Sequence, residues 1–288
     1  MGYVLAIDPA APGCPMAAAG ALPGCCGNTR RTPMTTDPVP LLVGHRGDMA
    51  QYPENSWPAL CAAVEAGACW LEFDVQMCAD GRFVLLHDAD FRRTANDPRS
   101  VFELDAEACQ RISVHEPARF GERFFPAPTP WLDEVLAWLS SYPEVRAMVE
   151  IKRESLQHFG RDVVVEALLG VMSSRCERCV LISFDAEALR LARKRVGLAL
   201  GWVLFEFDAE QRRRAERLQP HFLICNHEKI PHNEAPWPGN WQWMLYDIRD
   251  PAQALAWARR GVGLIESGDI CRLLKHPRLA VRACRHGY

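Results

Sequence analysis

Two carboxylates spaced two residues apart stand inside an apolar segment, residues 70–75. On a β-strand this spacing points both side chains to one face, so Glu72 and Asp74 would lie side by side. Two buried anions are costly, and a hard divalent cation with oxygen ligands offsets that cost. Glu150, at the end of a later apolar segment, offers a third oxygen ligand. Pairing with arginines is the alternative, but three acids grouped with two histidines favour a metal site.

Two histidines, His45 and His87, each stand directly after a short apolar run. Histidine titrates near neutral pH, so one ring can accept a proton from a nucleophile while the other protonates a leaving oxygen. Arg46 and Lys152 add fixed positive charge of the kind that binds a phosphoryl group. A salt bridge is an equally open role for Lys152. Together these residue types favour chemistry at a phosphoryl group.

The elements that must position these residues alternate along the chain from residue 40 onward. Short apolar runs followed by amphipathic stretches predict an α/β fold with a parallel sheet. About eight such units predict a (β/α)8 barrel of the TIM type, whose active site lies at the C-terminal ends of the strands. The candidate strands exceed eight by one, and we expect one of the last three to be wrongly assigned.

Two departures from a regular barrel are also predicted. The chain between residues 74 and 82 is too short for a helical crossover, so the barrel should be irregular between its second and third strands. A long polar stretch, about residues 89–130, interrupts the alternation. We expect it to form a small insertion after the third strand, packed on one end of the barrel.

Composition excludes two classes of partner. The net charge is -3 and the pI is about 6.3, so no basic surface for nucleic acid is expected. No apolar run reaches the roughly 18 residues of a membrane span, so no stable membrane insertion is expected. The sequence does not indicate an oligomeric state.

The first 36 residues differ from the rest of the chain. They are rich in Ala, Pro, Gly and Cys without a periodic pattern, which predicts a disordered tail over residues 1–36 and a barrel domain over residues 37–288. The 12 cysteines lack the paired spacing of a metal site, and several, such as Cys69, lie in apolar runs. Cysteine there behaves as a small hydrophobic residue. We therefore expect reduced thiols and a cytoplasmic location.

Taken in order, the motifs resemble those of the glycerophosphodiester phosphodiesterases. They are His45-Arg46-Gly47, Pro53-Glu54-Asn55-Ser56, Glu72-Phe73-Asp74-Val75-Gln76, Asp80-Gly81, His87-Asp88 and Glu150-Ile151-Lys152. Their order, spacing and residue types agree together, and the resemblance covers about residues 40–275. It implies an enzyme that hydrolyses small glycerophosphodiesters from glycerophospholipid breakdown to sn-glycerol 3-phosphate and an alcohol.

The resemblance also implies roles for individual residues. These are acid/base catalysis for His45 and His87, binding of Mg or Ca for Glu72, Asp74 and Glu150, phosphate contacts for Arg46 and Lys152, and a place beside the metal or the glycerol for Glu54. The choice between Mg and Ca stays open. So does the nucleophile, which is either water or the glycerol hydroxyl by way of a cyclic phosphate.

The C-terminal third departs from the family pattern. Trp243 leads into Met-Leu-Tyr-Asp where a Thr-Val-Asn-like sequence is usual, and residues 263–267 replace an Ile-Thr-Asp-like ending. Because these strands help to shape the pocket, the preferred alcohol stays open. The alternative function is a lysophospholipase D or phospholipase C-like activity on lipids. An exposed apolar lip around residues 120–125 would favour it.

Overall fold

The computed structural model describes residues 37–175, 178–195 and 197–284, so the predicted tail, residues 1–36, lies outside the described residues. The strands in this part of the chain are β1 (Leu41–His45), β2 (Trp70–Met77), β3 (Phe83–Leu85), β4 (Asp90–Phe91), β5 (Asp97–Ser100), β6 (Arg146–Ile151), β7 (Cys179–Ser183), β8 (Ala199–Val203), β9 (Phe222–Asn226), β10 (Gln242–Tyr246) and β11 (Leu264–Ser267). The α-helices are α1 (Trp57–Glu65), α2 (Arg92–Ala95), α3 (Ala106–Gln110), α4 (Pro117–Phe120), α5 (Leu132–Leu139), α6 (Arg153–Phe159), α7 (Arg161–Arg175), α8 (Ala186–Arg195), α9 (Ala209–Leu218), α10 (Pro251–Arg259) and α11 (Ile270–Leu274).

Eight parallel strands form a closed barrel. Their order is β1-β11-β10-β9-β8-β7-β6-β2, and pairing between β1 and β2 closes the ring. Alternate side chains of these strands fill the interior, among them Val43, Trp70, Met148, Ile182, Ile224, Met244 and Leu264. The other strand faces pack against the surrounding helices in a larger buried cluster. The predicted (β/α)8 barrel is confirmed.

The ninth candidate strand is β3, which lies outside the ring. It pairs antiparallel with the end of β2, with Val75 opposite Leu85, so the two form a hairpin rather than a crossover. Its turn closes with a hydrogen bond from the Cys78 amide to the Arg82 carbonyl, 2.7 Å. The predicted irregularity between the second and third strands is thus confirmed. Our expectation of an error among the last three strands was wrong, because β9, β10 and β11 all belong to the barrel.

Residues 89–130 contain the short hairpin β4–β5 and three short helices, α2 to α4. This segment has its own buried apolar cluster, which also takes in side chains from the β2–β3 turn and β3. Arg119 donates to the Met49 carbonyl (2.6 Å), and the Glu54 amide donates to Glu116 Oε1 (2.6 Å). These contacts hold the segment against the loop between β1 and α1, beside the C-terminal ends of the barrel strands.

One cysteine pair contradicts the expectation of reduced thiols. Cys69, just before β2, forms a disulfide with Cys284, 215 residues later in the sequence. The Cys284 amide also donates to the Gly67 carbonyl (2.8 Å), so the end of the described chain packs beside the start of β2. Spacing along the sequence cannot reveal such a long-range pair. Cys225, in contrast, is a buried thiol as expected. The cytoplasmic location, which rested in part on reduced thiols, stays a prediction.

None of the helices in the described residues combines the length and the apolar character needed to cross a bilayer.

Candidate active site and metal centre

Three buried carboxylates meet at the C-terminal end of the barrel. Glu72 and Asp74 point into the barrel from β2, and β6 runs alongside with Glu150 next to Asp74 in register. One oxygen from each of the three lies within 4.8 Å of the others. All three side chains are buried. The structure therefore brings together the three acids that the sequence predicted as metal ligands.

Two cations compensate part of this negative charge. Arg46 Nε lies 2.9 Å from Asp74 Oδ2, while Lys152 Nζ lies 3.2 Å from Asp74 Oδ1 and 2.8 Å from Glu150 Oε1. Burial alone would raise the pKa of Asp74, but the charges of Arg46 and Lys152 outweigh it and lower that pKa below its ordinary value. Asp74 therefore carries its charge. The salt-bridge role left open for Lys152 is the one seen in this structure.

The other two acids are less well compensated. Burial raises the pKa of Glu72 well above its ordinary value, and the neighbouring Asp74 charge adds to the rise. Burial likewise raises the pKa of Glu150. Glu72 Oε2 accepts a hydrogen bond from the Arg46 amide (3.2 Å), but the buried Glu72 Oε1 has no hydrogen-bond partner among the described residues. A buried carboxylate oxygen without a donor beside two further carboxylates suits a hard cation. These acidic residues are able to hold a metal ion.

A left-handed turn after β1 aims the Arg46 amide at Glu72. Arg46 has φ 53° and Gly47 has φ 81°. A side chain at Gly47 would overlap the backbone of Ala59 in α1, because its Cβ would lie 2.5 Å from the Ala59 carbonyl oxygen. The turn therefore needs glycine for both its φ and its close approach. This requirement explains why the His-Arg-Gly motif ends in glycine.

The start of α1 adds a further contact to the acidic cluster. Ser56 caps the helix by accepting from the Ala59 amide. The preceding residue, Asn55, donates from Nδ2 to Asp74 Oδ2 (3.0 Å) and accepts from the Asp74 amide (3.2 Å). The Asn-Ser pair thus fixes both the helix start and the Asp74 carboxylate.

His45 lies at the end of β1, between acids from both neighbouring strands. Its Nε2 is 3.9 Å from Glu72 Oε2 and 3.5 Å from Glu266 Oε1, and its Nδ1 is 3.8 Å from Asp247 Oδ1. Burial lowers the pKa of His45 to about 3, and the Arg46 charge contributes. The imidazole is therefore neutral near pH 7.

Glu266 is a site residue that the sequence reasoning missed. It points into the barrel from β11, beside Val43 in register, and it is buried. Burial, and then the charge of Glu150, raise the pKa of Glu266 well above its ordinary value. The signal was available, because Glu266 stands two residues after the inward Leu264 in an apolar segment. The same alternation had identified Glu72 and Asp74.

His87 lies just beyond β3, with its ring held by its sequence neighbour. His87 Nδ1 lies 2.6 Å from Asp88 Oδ1, and Arg93 donates to Asp88 Oδ2 (2.8 Å). The side chain is 33% exposed, so the ring remains open to a ligand.

Glu54 connects the two histidine motifs instead of facing an open site. It accepts from Arg46 Nη1 (2.9 Å) and from both terminal nitrogens of Arg93 (2.7 and 2.6 Å). Burial alone would raise the pKa of Glu54, but the hydrogen bond from Arg93 and the Arg46 charge lower it. Arg93 was not predicted as a site residue, because only the fold brings it next to Glu54.

Residues 45–233 match the model of the glycerophosphoryl diester phosphodiesterase family, and this range includes the predicted acids, histidines and cations. The chain belongs to this family. The glycerophosphodiester phosphodiesterase of Caldanaerobacter subterraneus subsp. tengcongensis is 31% identical over 156 residues, 54% of this chain and 62% of that relative. That of Bacillus altitudinis is 28% identical over 153 residues, 53% and 61% respectively. The chain thus spans about three fifths of the length of these curated relatives.

Solved structures share the barrel. An Oleispira antarctica phosphodiesterase in complex with sn-glycerol 3-phosphate superposes with a TM-score of 0.71 at 20% identity, covering 82% of this chain and 95% of that one. A Silicibacter pomeroyi protein described as a glycerophosphoryl diester phosphodiesterase also gives 0.71, at 21% identity, with 86% and 95% covered. At these identities the likeness shows the fold.

The part of the site outside the family match comes from the last two barrel strands. Both Asp247, just after β10, and Glu266, on β11, lie beyond residue 233. This is the region whose motifs depart from the glycerophosphodiester phosphodiesterase pattern. The family match thus leaves out these two residues of the site.

Proposed function

We propose that this protein hydrolyses glycerophosphodiesters to sn-glycerol 3-phosphate and an alcohol, as a step in the breakdown of glycerophospholipids. The observation that carries the proposal is the cluster of Glu72, Asp74 and Glu150, with the unpartnered Glu72 oxygen and His45 beside it. Family membership supports the class of reaction.

The three acids would hold one divalent cation, Mg or Ca, through oxygen ligands alone. A cation bound there would offset the negative charge that grows on the non-bridging oxygens of the phosphate. Arg46 and Lys152 already lie against Asp74, and their positive charge would bind the phosphate from the same side. Glu54 holds Arg46 in place, so we assign it to substrate binding through that arginine.

The two histidines would divide the proton transfers. The neutral His45 ring, whose Nε2 lies between Glu72 and Glu266, would accept the proton of the nucleophile. His87 would donate a proton to the leaving alcohol oxygen. Asp88, next to His87 Nδ1, fixes the orientation of that ring and leaves the other nitrogen for the substrate.

The test is an assay of product release by the purified chain. Glycerophosphocholine and glycerophosphoethanolamine are supplied separately, and sn-glycerol 3-phosphate is measured with and without a chelator. We expect the chelator to stop release and His45→Ala to lower kcat by about 10² to 10⁴-fold, the usual contribution of a catalytic acid or base. The matched control is His232→Ala, which removes an exposed histidine and should change nothing. A folded, metal-loaded enzyme that releases no sn-glycerol 3-phosphate would overturn the proposal.

A lipid substrate is the second candidate, because one aromatic side chain of the predicted lip is exposed. Phe125 is 58% exposed, while Phe124 packs against Tyr52 in the loop after β1 (ring centroids 5.5 Å apart). This position, at the end of the barrel that carries the site, would suit contact with a lipid surface. If lipids are the substrates, Phe125→Ser lowers turnover of lysophosphatidylcholine in vesicles and spares glycerophosphocholine. Equal effects on both substrates would remove this candidate.

A further inference from the structure

An open groove lies between α8 and α9 on the outside of the barrel. Its volume is about 810 Å³, which is within the range of small-molecule sites. Phe184 and Phe205 form its aromatic wall, with their rings 4.7 Å apart, while Trp202, which also lines it, is buried. Phe205 is 40% exposed, although phenylalanine is usually buried. The groove thus offers an apolar, ring-lined surface to a ligand.

The groove is strongly basic in a chain whose net charge is -3. Five arginines line it, from α6, α8 and α9, against only two carboxylates, Asp185 and Glu187. Both carboxylates are already engaged, Asp185 with Arg161 (2.8 Å) and Glu187 with Arg190 (2.7 Å). The lining therefore keeps excess positive charge beside the aromatic wall.

Three of the five arginines have partners within the protein. Besides Arg190, Arg214 pairs with Glu210, and Arg193 donates to the carbonyls of Leu218 and Gln219 at the end of α9. Among the described residues, no carboxylate lies within ion-pair distance of Arg153 or Arg217. The Arg153 guanidinium instead lies over the Phe205 ring, 4.9 Å from its centroid. These two arginines are the ones available to a ligand.

The groove begins at the end of the barrel that carries the proposed active site. Arg153 directly follows Lys152, which binds two acids of the cluster, and Phe184 directly follows Ser183 at the end of β7. Phe205 comes just after β8. From this rim the lining continues along α8 and α9 to Arg217. Arg153, Phe184 and Phe205 follow the C-terminal ends of β6, β7 and β8, so this part of the groove lies at the same end of the barrel as Lys152.

We propose that this groove binds the alcohol part of the substrate when that alcohol carries a second phosphate. The aromatic wall would contact the body of the alcohol, Arg153 would bind its phosphate, and Arg217 would add positive charge along the groove. A quaternary ammonium group, in contrast, would be repelled by the excess arginines. The inference rests on the proposed function, and it adds a substrate class: glycerophosphodiesters of phosphorylated alcohols.

The test compares two substrates that differ by one phosphate, glycerophosphoinositol and glycerophosphoinositol 4-phosphate. The preference is the ratio of their kcat/KM values. We expect the wild-type enzyme to prefer the phosphorylated substrate. We expect the double variant Arg153→Ala/Arg217→Ala to reduce this preference by about 10-fold, mainly through KM, because charge-assisted hydrogen bonds to the phosphate are lost. Higher salt should reduce the wild-type preference as well.

A matched double variant controls for the general loss of charge. Arg212→Ala/Arg213→Ala removes the same two charges from exposed positions of α9 that do not line the groove. It should retain the preference. Turnover of both substrates without a preference, or a preference that the Arg153→Ala/Arg217→Ala enzyme keeps, would overturn the groove assignment.

A binding measurement distinguishes a failure of the groove assignment from a failure of the proposed function. Calorimetric titration of the chain with glycerophosphoinositol 4-phosphate should show binding that the Arg153→Ala/Arg217→Ala variant loses, even if neither substrate is turned over. That pair of results would overturn the proposed function and support the groove. Binding to vesicles of phosphatidylcholine containing phosphatidylinositol 4-phosphate, without affinity for the soluble compound, would overturn the substrate assignment in favour of a lipid headgroup.

Discussion

At the residue scale, the buried acids of this site differ in charge state because their neighbours differ. Asp74 has two cations in contact, so its pKa is lowered in spite of burial. Glu72 and Glu266 lack such contacts, and burial raises the pKa of both well above the ordinary value. Ionising these two glutamates therefore costs free energy unless a bound cation compensates.

Replacing Glu266 by glutamine tests this charge assignment through stability. A group whose pKa is raised by folding stabilises the folded state below its unfolded pKa and loses that contribution as pH rises through the folded pKa. Glutamine does not ionise, so Glu266→Gln should gain melting temperature over the wild type in chelator as pH rises from about 5 to about 8. Exposed Glu65→Gln is the control. A difference that stays constant with pH would contradict the assignment.

Sequence reasoning found the residues that stand in contiguous motifs and missed those that only the fold brings together. Glu72, Asp74 and Glu150 were identified from strand alternation and do meet. Glu266 was missed because its strand departs from the expected ending. Arg93 was missed because its partner, Glu54, lies 39 residues away in sequence. The same limit applies to the disulfide.

At the scale of elements, the turn after β1 shows how local sequence fixes site geometry. The left-handed backbone at Arg46 and Gly47 lets β1 pass directly into a loop against α1 while the Arg46 amide reaches Glu72. The alternation of apolar and amphipathic segments predicted that a helix follows β1. The irregularity between β2 and β3 was predicted, but their antiparallel hairpin was not. An apolar run does not show whether its partner strand is parallel or antiparallel.

Gly47 and Gly81 have nearly the same φ, so substitutions at the two positions distinguish backbone strain from steric overlap. Gly47 and Gly81 have φ of 81° and 82°, but only Gly47 lies against another backbone; no atom lies within 4 Å of a Cβ built at Gly81. Gly81→Ala should cost about 1–2 kcal/mol of unfolding free energy, the cost of a left-handed alanine. Gly47→Ala should cost about 3 kcal/mol or more, because the added methyl also overlaps α1. Equal shifts in denaturant midpoint would contradict this reading.

Cation binding by the acidic side chains of β2 and β6 should depend on pH. Because burial raises the pKa values of Glu72 and Glu150, protons compete with a cation for these oxygens. Binding of Mg²⁺ or Ca²⁺ should therefore release protons and weaken as pH falls from about 8 to about 6. Calorimetry in buffers of different ionisation enthalpy measures the release. Glu72→Gln should bind more weakly, and binding without any proton release would contradict the description of these acids.

At the scale of the whole molecule, the described barrel contains all the residues of the proposed site. Its strands run from Leu41 to Ser267, and the site residues lie between His45 and Glu266. Alternation of strands and helices was enough to predict the closed barrel, since short connections leave few other arrangements. Only the structure shows where the extra strand, β3, lies and that Cys69 pairs with Cys284.

The domain boundary predicts that residues 1–33 are dispensable. A chain starting at Met34 keeps every strand and every proposed site residue. We therefore expect its melting temperature and its turnover of glycerophosphodiesters to equal those of the full chain. A truncated protein that folds, with its melting temperature unchanged, but loses turnover would show that the first residues contribute to the reaction.

The central claim is that Glu72, Asp74 and Glu150 hold the cation needed to hydrolyse a glycerophosphodiester. The most direct measurement is the initial rate of sn-glycerol 3-phosphate release from glycerophosphocholine while Mg²⁺ or Ca²⁺ is titrated into chelator-treated enzyme. We expect a rate that rises to saturation with one of these cations and is lost in folded Glu72→Gln. A rate that is independent of added cation, or equal in Glu72→Gln and wild type, would contradict it.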